Sequence, residues 1–181
     1  SGPRPGTVSP IYPTRIEAGA MAAAPAPPSS GPGTWPTSRR FTVAYHDVDA
    51  LNHLNHAAYF RYMETLRCDY YLPRRGLTDP RELDIIVAEA TCRYLAPARY
   101  STEMIGEVAP ARPLGATSFQ LLYRFSAPSR PATVYARGRT VVVCYDYAVK
   151  AKKPIDPSVR SRMDRDAVDP VPEGWGGSGR P

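Results

Sequence analysis

The sequence predicts an α+β domain in which one long helix, entered from a strand, is followed by four more strands with no helices between them. Three observations carry this. Tyr59, Tyr62, Met63, Leu66 and Tyr70 recur at three- and four-residue intervals, the spacing that gathers apolar groups on one helix face. Stretches rich in β-branched and aromatic residues follow at 85–95, 102–112, 118–125 and 133–145, the last containing Val141-Val142-Val143-Cys144-Tyr145. Between these stand Pro and Gly but no helical period, so the strands are expected to pair antiparallel.

Taken in order, residues 1–38 are rich in Pro, Gly, Ala and Ser with no periodicity that could pack, and are expected to be disordered. They lack a basic segment followed by a continuous apolar one, so no secretory signal is expected. Phe41, Val43 and Tyr45 alternate with Thr42, Ala44 and His46, which predicts a half-buried strand running into the segment that holds all three histidines. Asn55 is placed to cap the helix, of about four turns, and Pro73 and Gly76 to close it. Asp156-Pro157 reads as an N-cap and first-turn proline for a short helix to about residue 165. The domain therefore spans 39–168, and 169–181 is expected to be a flexible tail.

Composition narrows the function classes. With 181 residues and a net charge of +6 the chain suits one domain with loose ends. Its apolar runs fall far short of a membrane span. Cys68, Cys92 and Cys144 form no C-x-x-C pair, which points to reduced thiols and a cytoplasmic setting rather than a disulfide framework or zinc site. The basic residues, three lysines and otherwise arginine, are scattered rather than aligned, so no nucleic-acid partner is expected.

The segment Tyr45-His46-Asp47-Val48-Asp49-Ala50-Leu51-Asn52-His53-Leu54-Asn55-His56 concentrates the histidines beside two aspartates at a strand-to-helix junction, a pattern that reads as an active site. A metal on Asp49, His53 and His56 is not expected, since no H-E-x-x-H pattern is present. Asp49 to Tyr59, continued by Phe60-Arg61-Tyr62-Met63-Glu64 and Arg67, resembles the acyl-CoA and acyl-carrier-protein thioesterases of the hotdog fold, in the 4-hydroxybenzoyl-CoA thioesterase-like group. Tyr94-Leu95-Ala96-Pro97-Ala98 resembles the second strand of that family. Together the likeness covers about 39–165.

The resemblance implies a curved antiparallel sheet of five to six strands around a long central helix, dimerised edge to edge and in some members paired again into tetramers. It implies hydrolysis of an acyl-CoA or acyl-carrier-protein thioester without a cofactor. Asp49 aligns with the family's catalytic acid, as general base or as nucleophile; His53 matches a histidine of several fatty-acyl thioesterases. Asp47 competes with Asp49 for the role. Backbone N–H groups of the helix start, from Ala57 to Tyr59, would polarise the carbonyl. Asn55 divides between helix cap and substrate contact, His56, Ala58 and Tyr59 would line the pocket, and Arg99, Arg137 and Arg139 are candidates for phosphate contacts. Glu64 is expected to pair with Arg61 or Arg67. Other readings are a hotdog protein that binds acyl thioesters without cleaving them and a hotdog hydratase or dehydratase; the latter differs because its motif carries a proline that this chain lacks.

Overall fold

The computed structural model describes residues 35–168. Its elements follow the expected order: β1 (Thr37–Thr42), α1 (His56–Arg75), β2 (Ile85–Tyr94), β3 (Glu103–Ala111), β4 (Ser118–Ala127), β5 (Arg130–Asp146), β6 (Ala151–Lys152) and α2 (Pro157–Asp166). The sheet is antiparallel throughout, in the order β1-β3-β4-β5-β2, with the short β6 attached to β5. This is the architecture that the hotdog resemblance implies.

Four sequence expectations need correction. The first strand ends at Thr42 rather than running into His46, because the chain turns into a 3-10 turn over Tyr45–Asp47 that buries Asp47 and leaves Tyr45 81% exposed. That strand opens at Thr37, paired with Val108, inside the segment expected to be disordered; 1–34 and the tail 169–181 lie outside the described residues. The helix is longer than four turns, with 20 residues. Pro73 sits inside its last turn, and the stop comes at Gly76, whose φ of 72° is a left-handed conformation that glycine adopts without a Cβ clash.

The core lies between α1 and the inner face of the sheet. Tyr59, Tyr62, Met63, Leu66 and Tyr70 are all buried there, against Val108, Leu121, Tyr123, Phe125 and Val142. The helix approaches so closely because two inner-face positions carry no side chain. At Gly106 a Cβ would stand 2.6 Å from the Phe41 ring, 2.9 Å from Leu66 and 3.0 Å from Phe125. At Gly138 it would collide with the Met63 sulfur. The far end of α1 is fixed by the Asp84 carboxylate, which accepts from Tyr71 Oη at 2.9 Å, Arg75 Nε at 3.0 Å and Lys153 Nζ at 2.8 Å. These bonds join the helix to the start of β2 and to the segment after β6. On the outer face, Ala111 and Leu122 form a small cluster with Trp35 and Val168.

The three cysteines are free thiols; Cys144 is buried, Cys68 and Cys92 half-buried. Among the described residues no helix is long and apolar enough to cross a membrane. The packing at Gly106 generates a direct test. Gly106→Ala forces a methyl against two aromatic rings and a leucine, and is expected to destabilise the fold by about 2 kcal/mol. A drop of roughly 5 °C in the thermal midpoint is the expected reading, and an unchanged midpoint would show that the helix is not seated on the β3 backbone.

Candidate active site

The loop that carries the histidine-aspartate motif leaves β1 and is stitched to a second loop, 95–102, before it enters α1. Val43 N–H donates to Thr102 C=O at 3.0 Å and Ser101 N–H to Val43 C=O at 2.9 Å. Leu54 N–H donates to Ala98 C=O at 2.7 Å, and Tyr100 N–H to Asn52 Oδ1 at 3.3 Å. Within the motif Val48 and Leu54 form a β-bridge, so 48–54 is a small closed loop.

Asp47 anchors the base of this loop. Its side chain is buried, 5% exposed, and accepts from Tyr62 Oη at 2.7 Å and from Arg61, both on the second turn of α1. Its backbone C=O accepts from Asn55 N–H at 2.8 Å, while His46 Nε2 lies 3.8 Å from its carboxylate. Burial pushes the Asp47 carboxyl pKa up, but the Tyr62 hydroxyl and the Arg61 guanidinium outweigh it and hold the group below the ordinary carboxylate range. A charged, fully engaged carboxylate is a structural tie rather than a group free to react.

Asp49 is arranged differently. It is exposed, and one oxygen, Oδ1, accepts from Leu51 N–H at 2.9 Å and His53 N–H at 3.0 Å. Its own N–H donates to His53 C=O at 2.8 Å. The other oxygen, Oδ2, has no hydrogen-bond partner among the described residues, so the carboxylate is aimed by its neighbours and still has an oxygen to offer. The His53 backbone bond leads the causes that hold its pKa below the ordinary range, so it is ionised at neutral pH. His53 is half-buried in the same loop and reciprocates both backbone bonds.

Asn55 caps α1: its side-chain carbonyl accepts from Ala57 N–H at 2.9 Å, and its backbone carbonyl accepts from Ala58 N–H at 2.9 Å. The expectation that Ala57 to Tyr59 supply free donors is therefore corrected, since the first two are already engaged. The donor with no acceptor among the described residues is His56 N–H, one residue earlier, and it carries the positive end of the helix dipole. His56 is exposed, whereas Ala58 and Tyr59 are buried behind it.

Beside the helix start lies a surface of partly exposed aromatic groups. Tyr94 donates through its hydroxyl to His56 C=O at 3.3 Å and packs on Tyr59. Tyr100 meets Tyr45 edge-on, ring centroids 6.1 Å apart. Arg99 is exposed on the stitched loop, its N–H bonded to Thr102 Oγ1 at 3.0 Å. Glu64 pairs with Arg67 at 3.3 Å, the second of its two expected partners.

Arg137 and Arg139 stand on β5, away from the motif loop. Arg139 is engaged by Glu89 and, at 3.4 Å, by Gln120. Arg137 lies directly opposite Arg93 of β2 and Arg124 of β4 in the strand register, so three arginines stand abreast across the outer face. Arg124 is matched by Glu107 at 2.7 Å. Asp47's anchoring role, the Tyr94 and Tyr100 walls and the arginine row were not legible in the sequence; only strand register would have revealed the row. Among the described residues no three His, Cys, Asp or Glu side chains converge as a metal site would require.

Residues 43–163 match the family model of the thioesterase-like superfamily. A Thermus thermophilus thioesterase, whose structure holds coenzyme A and zinc, is 26% identical, with a TM-score of 0.63 over 72% of this chain and 94% of that one. A gentisyl-coenzyme A thioesterase is also 26% identical, with a TM-score of 0.58 over 70% of this chain and 99% of that one. A Pseudomonas aeruginosa protein shares the fold at 23% identity, with a TM-score of 0.66 over 75% and 94% of the two chains. No curated protein sequence matches the chain.

The Asp47 tie has a pH signature. Its folded pKa lies below the unfolded value of about 3.9, so the stabilisation is present above that pH and is lost as the pH falls through the lower folded value. Asp47→Asn is expected to destabilise the protein at pH 7 by roughly 1–3 kcal/mol, a figure discounted because Arg61 is largely exposed. Thermal melts between about pH 7 and 2 should show the gap between the two proteins closing on the acid side; a gap that is constant with pH would contradict the tie.

Proposed function

The chain belongs to the thioesterase-like superfamily, a group of thioester hydrolases, and from that footing we propose that it cleaves an acyl-coenzyme A to a free acid and coenzyme A, with Asp49 as the reacting carboxylate. The observation that carries this is the geometry of Asp49. Both backbone bonds fall on Oδ1, and the second oxygen of this exposed, ionised carboxylate has no hydrogen-bond partner among the described residues. That oxygen either removes a proton from water or attacks the carbonyl carbon to form a mixed anhydride that water then opens. In either case negative charge develops on the carbonyl oxygen. The His56 N–H and the helix dipole behind it stabilise that charge.

His53 then serves as the group that positions water or protonates the departing thiolate. Arg99 is the candidate on the motif side for the carrier's phosphates, and Arg93 and Arg137 are candidates on the outer face. Two structures similar in fold are coenzyme A thioesterases or hold coenzyme A, which favours that carrier over acyl carrier protein. A homodimer is part of the proposal. β2 is a sheet edge, and the exposed Leu51, Tyr94, Leu95 and Tyr100 lie close to it and to the motif, so a second copy would cover both the unpaired edge and the apolar surface.

Release of thiol from short, long and aromatic acyl-coenzyme A substrates tests the reading. Asp49→Ala is expected to lose about a hundredfold or more in turnover while its thermal midpoint stays near that of the unaltered chain; equal rates in the two proteins would remove Asp49 from the reaction. Arg93→Ala with Arg137→Ala is expected to raise KM with little change in kcat, as loss of a carrier contact should. In solution the protein should run at twice its 19.9 kDa chain mass or at four times it, and a monomer would refute the dimer.

A further inference from the structure

The end of α1 opposite the motif is fastened to α2. Arg74 Nε donates to Asp166 at 2.6 Å, and Arg162 Nη1 donates to the Arg74 carbonyl at 2.9 Å. A helix of 20 residues is about 30 Å long, which sets α2 apart from the Asp49 loop by roughly that distance. Val159 and Met163 bury the inner face of α2. Pro157, Arg160, Ser161, Asp164 and Arg165 follow the i, i+3, i+4, i+7, i+8 spacing of a single outward face. Arg112, just past the end of β3, stands against that face, and these residues together line a cleft of about 620 Å³.

The charge in the cleft is unbalanced. Arg112 Nη2 donates to the Asp164 carbonyl, Arg160 Nη2 to the Gly115 carbonyl, and Arg165 Nη1 to Ser161 Oγ at 3.2 Å. These acceptors are uncharged, so they aim the guanidinium groups without neutralising them. Elsewhere arginines face carboxylates, as Arg39 does Asp69, Arg75 does Asp84 and Arg124 does Glu107. Among the described residues neither Arg160 nor Arg165 is paired with one. The acid in the lining, Asp164, sets one negative charge against three positive. We propose that this cleft binds a phosphate group, a dianion whose two charges match the excess, held by the forks of Arg160 and Arg165 with Arg112 on the facing wall. A guanidinium carries five N–H donors in one plane, so Arg160 and Arg165 keep donors for an anion after each has met one neutral acceptor. The volume falls within the range of small-molecule sites and leaves room for the organic part of a phosphate ester. The cleft is separate from the contacts proposed for the carrier's phosphates. Arg99 and Arg112 flank β3 at its opposite ends, and Arg137 and Arg93 stand two and three strands across the sheet from it.

Calorimetric titration of the full chain with inorganic phosphate and with inorganic pyrophosphate, at constant ionic strength set by sodium chloride, tests the site. Each is expected to saturate a single site per chain. Arg165→Gln leaves in place the bonds that tie α2 to the sheet and to α1, and should weaken binding about tenfold, as loss of one exposed charge-assisted contact does. Asp164→Asn should strengthen it about threefold, because a negative charge leaves the lining while the residue's carbonyl still accepts from Arg112. Arg130→Gln makes the same change of net charge at the start of β5 and should have no effect. Opposite shifts from two neighbouring substitutions report on charge at the site, which a loss of folding would not reproduce. A second titration in saturating S-butyl-coenzyme A, a thioether that cannot be hydrolysed, distinguishes a separate phosphate compound from the coenzyme's own phosphates, and unchanged binding is expected. Absence of saturable binding, equal losses in Arg130→Gln and Arg165→Gln, unaltered affinity in both cleft variants, or displacement by the thioether would overturn the inference.

Discussion

Asp47 is a charged side chain withdrawn from water at the junction where the chain leaves β1 and enters α1, and the geometry of the site depends on how that charge is satisfied. A buried carboxylate is tolerated only when its oxygens are engaged. Here the partners are Tyr62 and Arg61, one turn into the helix, while the same residue's carbonyl holds the amide of the capping residue Asn55. One residue thereby fixes both the angle at which the loop meets the helix and the position of the first helical amides. Asp49 stands two residues further along a loop closed by the Val48 and Leu54 bridge, so its carboxylate inherits that position. The motif's two acids divide the labour by environment: the buried one holds, and the exposed one has an oxygen to spare.

The same economy governs the rest of the subunit. Gly106 and Gly138 bring α1 onto the sheet, which secures the helix but also fills the space beneath its first turns with aromatic side chains. The Asp84 cluster fixes the opposite end, where Tyr71, Arg75 and Lys153 converge on one carboxylate. A rigid helix held at both ends keeps its terminal dipole aimed at one point, and preorganised dipoles are the form of charge stabilisation that requires no rearrangement during reaction.

Much of this was legible in the sequence, and the reasons are physical. The three- and four-residue spacing of Tyr59, Tyr62, Met63, Leu66 and Tyr70 located α1, since a helix packed on one face must carry that period. Asn55 and Asp156 were found as caps because few side chains satisfy free helix amides. The β1 boundary was missed because Val43 and Tyr45 continue the alternation in sequence, whereas in the fold the chain enters a 3-10 turn at Tyr45–Asp47 that buries Asp47 and exposes Tyr45. The helix outran Pro73 because a proline near the end of a helix removes only one late amide. The donor at the helix start shifted from Ala57 to His56 because Asn55 engages two amides, through both its side chain and its carbonyl. The arginine row and the tyrosine walls depend on which residues face one another across strands and loops, and a single sequence does not record that register.

The structure of the protein bound to a ketone analogue of an acyl-coenzyme A, in which a methylene replaces the thioester sulfur, tests the central claim most directly. The account predicts the ketone oxygen within about 3 Å of the His56 amide nitrogen, with Asp49 Oδ2 facing the carbonyl carbon. A carbonyl bound elsewhere, or one facing Asp47 with Asp49 turned away, would contradict it.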